Sequence, residues 1–124
     1  MLRLASTTWA LALWSILASG VGVGAAELTF DIRIEQGRIP DTMRLMRVHE
    51  GDSVTLRWAS DRPLVLHLHG YDIEKRVVAD AVTELAFSAY ATGRFPIEIH
   101  VKGAGTRGAA HGGAPLAIIE VYPR

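Results

Sequence analysis

Val48-His49-Glu50-Gly51-Asp52-Ser53-Val54-Thr55-Leu56-Arg57-Trp58 joins a Gly-Asp turn to a run in which apolar and polar side chains alternate. Val54, Leu56 and Trp58 share one parity and Thr55 and Arg57 the other, the period of a strand with one buried face. The pattern repeats upstream, where Phe30, Ile32 and Ile34 oppose Thr29, Asp31 and Arg33 across a strand from Leu28 to Ile34. Gln36 to Asp41 reads as a loop, and Met43 to Val48 as a second strand. Downstream, Asp61-Arg62-Pro63 turns into a strand from Leu64 to Gly70, and Val77-Val78 reads as a short edge strand. Further strands are expected over Thr83 to Ser88, Arg94 to Val101 and Leu116 to Tyr122, with a Gly-rich loop from Lys102 to Gly113. Pro63, Pro96 and Pro115 suit edge or opening positions of strands. Seven or eight short strands with no sustained helical period predict an all-β sandwich or barrel.

The chain has 124 residues, the size of one domain. Lys plus Arg and Asp plus Glu number 13 each, so the basic excess of a nucleic-acid binder is missing and no nucleic-acid partner is expected. The sequence has no cysteine, which excludes disulfides, zinc–thiolate and iron–sulfur sites, and the thiolate of a blue copper centre. Five histidines are left as the main metal-binding side chains. Residues 1–26 have the layout of a secretory signal peptide: Arg3, an uncharged apolar run to about Val23, then Gly24-Ala25-Ala26. The alternative is an uncleaved anchor, since about 20 apolar residues can span a bilayer. Cleavage before Glu27 leaves residues 27–124 as one periplasmic or secreted domain with no membrane span.

Several pieces together resemble the cupredoxins. Val48 to Trp58 resembles the junction of their second and third strands, and Asp61 to His69 lies where they place their first copper-binding histidine. Thr92-Gly93-Arg94-Phe95 resembles the opening of the strand that leads to their copper-binding cysteine, and Ile118 to Val121 resembles their closing strand. The resemblance covers the whole domain and implies a cupredoxin-like Greek-key β-sandwich or barrel of about seven or eight strands. It also implies copper, but the cysteine position falls near Ile99 here, followed by His100. Without the thiolate, rapid electron carriage of the plastocyanin type is not expected.

His67-Leu68-His69-Gly70-Tyr71-Asp72 is the most informative segment. Strand residues two apart face the same way about 6.8 Å apart, so His67 and His69 can address one ion while Leu64, Leu66 and Leu68 face the core. The His-x-His-Gly string is similar to copper-ligand segments of multicopper oxidases. Such imidazoles suit Cu(II), the stronger binder, or Zn(II). The competing reading is a solvent-facing strand surface that carries two histidines. Asp72 can hold the far nitrogen of one ring or simply form the turn. The resemblance places His100 and His111 where the family's later ligands gather. Glu98, on the face of His100, can ligate, orient His100 or stay an exposed carboxylate. His49, in the opposite turn, is expected to be exposed. Met43 and Met46, three apart on a strand, point to opposite faces and cannot form a soft pair. Gly103-x-Gly105-x-x-Gly108 matches a dinucleotide fingerprint as a string but opens no helix.

The sequence thus points first to an exported copper-binding module with a histidine-only, non-blue site, acting in carriage, buffering or delivery. Its partner would be another periplasmic or membrane metal-handling protein. The alternatives are a metal-free interaction or structural domain and, third, a small copper redox enzyme. The exported protein should begin at Glu27. Intact mass measurement checks this, and a retained Met1 in the membrane fraction would make residues 1–26 an anchor.

Overall fold

The computed structural model describes residues 22, 24–100 and 114–124. Eight strands form two sheets: β1 (Glu27–Ile34), β2 (Leu45–His49), β3 (Ser53–Ser60), β4 (Leu64–Leu68), β5 (Ile73–Val77), β6 (Val82–Ser88), β7 (Gly93–His100) and β8 (Ala117–Tyr122). A three-stranded sheet has the order β1-β3-β6 and a five-stranded sheet the order β2-β8-β7-β4-β5. β2 crosses to the other sheet, so β1 and β3 lie side by side in parallel; β2 and β8 are the second parallel pair. The remaining ladders are antiparallel.

The core fills the space between the sheets. Ile32, Ile34, Val54, Leu56, Trp58 and Leu85 come from one sheet, and Met46, Val48, Leu66, Leu68, Ile97 and Ile119 from the other. The alternation read in the sequence therefore marks the inner face of both sheets. Trp58 is fully buried, and its indole Nε1 has no hydrogen-bond partner among the described residues. At one end, Asp52, 1% exposed, accepts the backbone N–H groups of Ala26 (2.9 Å) and His49 (2.8 Å) and contacts Arg124. These hydrogen bonds, Ala26 first, hold its carboxyl below the usual carboxylate range despite burial.

Three boundaries differ from the sequence reading. Met43 sits in a 3₁₀ turn (Asp41–Met43) rather than on a strand, and packs against the core that contains Met46. The fourth strand stops at Leu68, so His69 and Gly70 belong to the turn that follows. The edge strand beyond it is Ile73–Val77. Pro96, expected at an edge or a strand opening, lies inside the central strand β7. Its carbonyl accepts from His69 N (3.0 Å), so its nitrogen faces β4 just past the last ladder pair, Leu68↔Ile97. No ladder donor is needed there, which removes the cost of a proline in mid-sheet.

Trp58→Ala should destabilise the fold by about 3–5 kcal/mol, and Trp58→Phe by clearly less because no indole hydrogen bond is lost. Denaturant unfolding measures both, and a loss below about 1 kcal/mol for the alanine variant would contradict this packing.

Candidate metal centre

The inner-facing leucines of β4 turn its other parity outward. Leu66 and Leu68 are fully buried and Leu64 nearly so, which places Val65 and His67 on the outer face of the five-stranded sheet. Register then supplies the neighbours. His67 lies between Glu74 of β5 and Glu98 of β7 in one cross-strand row, and His100 pairs with Val65 in the next. His69 follows one step beyond the strand and carries its ring back over His67.

The centroids of His67 and His69 are 4.0 Å apart, closer than their spacing along the chain, and His100 lies 5.1 Å from His67 and 6.3 Å from His69. One ring nitrogen from each histidine can be chosen so that all three lie within 4.8 Å of one another. Two nitrogens bound to one ion at about 2.0–2.1 Å are at most about 4.2 Å apart, so small side-chain rotations complete the geometry.

Each ring also has a carboxylate. His69 Nε2 is 2.9 Å from Glu98 Oε2, His67 Nε2 is 3.5 Å from Asp72 Oδ1, and His100 Nδ1 is 3.5 Å from Glu74 Oε1. Glu98, expected beside His100, therefore serves His69. The carboxylate of His100 is Glu74, which the sequence reading missed because only strand pairing brings it there. His67 is the most buried of the three, and its Nδ1 is buried with no partner among the described residues. A buried polar atom left unpaired costs about 1–3 kcal/mol, and a metal ion is one partner that would remove that cost. Three imidazoles with carboxylates behind them form a donor set that fits a borderline divalent ion.

The turn that aims His69 and Asp72 has its own anchor. Gly70 has φ +84°, and a Cβ there would lie 2.8 Å from Phe95 Cε1, so the backbone passes directly over that ring. Tyr71, nearly buried, donates its hydroxyl to Ala91 O (2.9 Å) and accepts from Ala91 N (3.2 Å). Its ring packs on Phe87, Tyr90 and Phe95. Burial pushes the Tyr71 phenol up. Asp72, at φ +54°, then turns the chain into β5.

His49 is exposed on the edge strand β2 beside Tyr122. His111 and the Gly-rich loop lie outside the described residues. The rest of the outer face is held by Glu120, which pairs with Arg47 (3.3 Å) and Arg94 (3.2 Å). The Tyr122 hydroxyl first, then Arg47, holds the Glu120 carboxyl below its usual range.

No family model matches the sequence, and no curated protein matches it. Solved structures do. A multicopper oxidase from Pseudomonas thermotolerans aligns with TM-score 0.58 at 16% identity over 82% of this chain, which spans only 31% of that one. The periplasmic domain of subunit II of cytochrome oxidase from Bradyrhizobium japonicum aligns with TM-score 0.57 at 16% identity over 77% of this chain and 84% of the other. A copper-binding protein solved in its apo form by NMR aligns with TM-score 0.57 at 6% identity, covering 79% of this chain and 96% of that one. The fold is a cupredoxin-like β-sandwich.

Gly70→Ala should lower stability by about 1–3 kcal/mol, because both its overlap with Phe95 and its left-handed backbone oppose a side chain. Thermal unfolding measures this; an unchanged midpoint would show that the turn is not anchored on Phe95.

Proposed function

We propose that the protein is an exported copper-binding protein that carries, buffers or delivers Cu(II) through a histidine-only, non-blue site. The observation that carries this reading is the convergence of His67, His69 and His100, with the buried Nδ1 of His67 lacking any partner among the described residues. Copper is supported over other divalent ions by the affinity order of imidazole sites and by the copper proteins that share the fold. Cu(II) is supported over Cu(I) by the donor set, which has no sulfur, and by Asp72, Glu74 and Glu98, whose charges complement a doubly positive ion. Zn(II) is the competitor to measure. The site lies half-open on a sheet face, which suits exchange with a partner more than permanent retention. Among the described residues no helix is long and apolar enough to cross a membrane.

When bound, the ion would supply Lewis acidity and a redox couple; the protein's own residues supply the rest. His67, from the most sheltered position, offers a preset donor. His69 and His100, more exposed, can swing to admit or release the ion. Leu66 and Leu68 beneath the cluster keep water from its inner side.

A second reading, a small copper redox enzyme, draws on one observation. His100 also lines an open groove of about 690 Å³ with Pro63, Val65, Arg62, Arg76 and Val78, room for a small substrate beside the cluster. Oxygen consumption by the copper-loaded protein with phenolic or amine substrates separates this from carriage.

Titration with Cu(II) should show one strong site with weak ligand-field absorption, nitrogen hyperfine structure and no intense visible charge-transfer band. Affinity should fall on acidification, since protons compete for imidazole donors. His67→Ala combined with His69→Ala should abolish this binding, and His49→Ala should leave it unchanged. Wild-type affinity in the double variant would put the titrated copper at an incidental group such as the α-amino group, and a metal-free interaction domain would become the better account.

A further inference from the structure

We infer that the ion is held by Nδ1 of His67, Nδ1 of His69 and Nε2 of His100, and that Glu98 and Glu74 are positioning residues that fix the tautomers required. This inference rests on the metal reading above and specifies its donor atoms.

The carboxylates decide which ring nitrogens carry the protons. An ionised carboxylate can only accept hydrogen bonds, so the ring nitrogen that faces it carries the proton. A neutral imidazole has one N–H, and its other nitrogen then bears the lone pair. Glu98 Oε2 lies 2.9 Å from His69 Nε2, which assigns the proton to Nε2 and the lone pair to Nδ1. Glu74 Oε1 lies 3.5 Å from His100 Nδ1, at ion-pair rather than hydrogen-bond distance, so a small rotation of either side chain lets it take that N–H and leaves Nε2 as the ring's donor. Asp72 Oδ1 lies 3.5 Å from His67 Nε2, an ion-pair contact that favours a proton there and the lone pair on Nδ1.

His67 provides an independent check. The nitrogen that this assignment leaves as donor is the one that is buried and has no partner among the described residues. The carboxylates also differ in weight. Asp72 is fully exposed, and at such a site an ion pair is worth little. Glu98 and Glu74 project from paired strands flanking β4, in the row of His67, so their positions are set by sheet register rather than by a mobile loop. One strand pairing thus delivers both the donors and the groups that orient them. A carboxylate accepting the far N–H also strengthens an imidazole as a donor.

The test uses ¹⁵N-labelled protein and two-bond proton–nitrogen correlation spectra, with Zn(II) as a diamagnetic probe. In the metal-free protein His69 should appear as the Nε2–H tautomer. On loading, the metal-induced nitrogen shifts should fall on Nδ1 of His67 and His69 and on Nε2 of His100. Glu98→Gln should mix the His69 tautomers and weaken Zn(II) and Cu(II) binding by about 10–100-fold, and Glu74→Gln should weaken it in the same direction. Thermal unfolding of both metal-free variants should stay at the wild-type midpoint, which separates positioning from a structural role. A metal-induced shift on Nε2 of His69, or wild-type affinity in both variants, would overturn the donor assignment while leaving the site in place. No metal-induced shift on any of the three rings would overturn the metal reading itself.

Discussion

Leu64, Leu66 and Leu68 pack into the space between two sheets, and a strand offers only two faces. With one parity committed to the core, Val65 and His67 have no choice but to face outward, and the chain carries His69 out on the same side. A slip of one residue would bury the histidines and expose the leucines, so register here is fixed by hydrophobic burial. Register in turn decides which side chains from β5 and β7 stand beside His67. The cluster is thus a consequence of core packing, although none of its members belongs to the core.

Burial of leucines sets the face but not the final angle of His69, which lies past the last ladder pair. That angle comes from the turn. Gly70 lets the backbone pass over Phe95, and Tyr71 ties the turn to Ala91 through two hydrogen bonds at its hydroxyl. The aromatic group of Tyr71, Phe87, Tyr90 and Phe95 therefore anchors the turn that positions His69. His-Gly-Tyr-Asp reads as one device: a donor, a hinge without a side chain, an anchor and a carboxylate.

Much of this was legible in the sequence because alternation reports faces directly. The faces of Ile32, Leu56, Trp58 and Leu66 follow from period two alone; His67 and His69 do share a side, but the turn after β4 carries His69 there. Alternation does not report which strands are neighbours. Glu74 was missed for that reason, since nothing local to Ile73–Val77 says that it stands beside His67. Glu98 was placed on the correct face, with a role beside His100 or as a plain exposed carboxylate left open, whereas the turn of His69 brings a different ring within 2.9 Å. Pro96 misled for a related reason. A proline is excluded from mid-sheet only where its missing donor is needed, and here the neighbouring strand has already ended.

The resemblance implied a first ligand within Asp61 to His69 and later ones at His100 and His111. Of these, His67, His69 and His100 converge on the outer face of the five-stranded sheet, and His111 lies outside the described residues. The most direct measurement is an anomalous difference map, at the copper absorption edge, from crystals of the copper-loaded protein. The account predicts one dominant peak over β4 and β7, with His67, His69 and His100 nitrogens at about 2.0–2.1 Å, typical of imidazole–metal bonds. A dominant peak at the α-amino group, or no ordered copper on that sheet face, would contradict it.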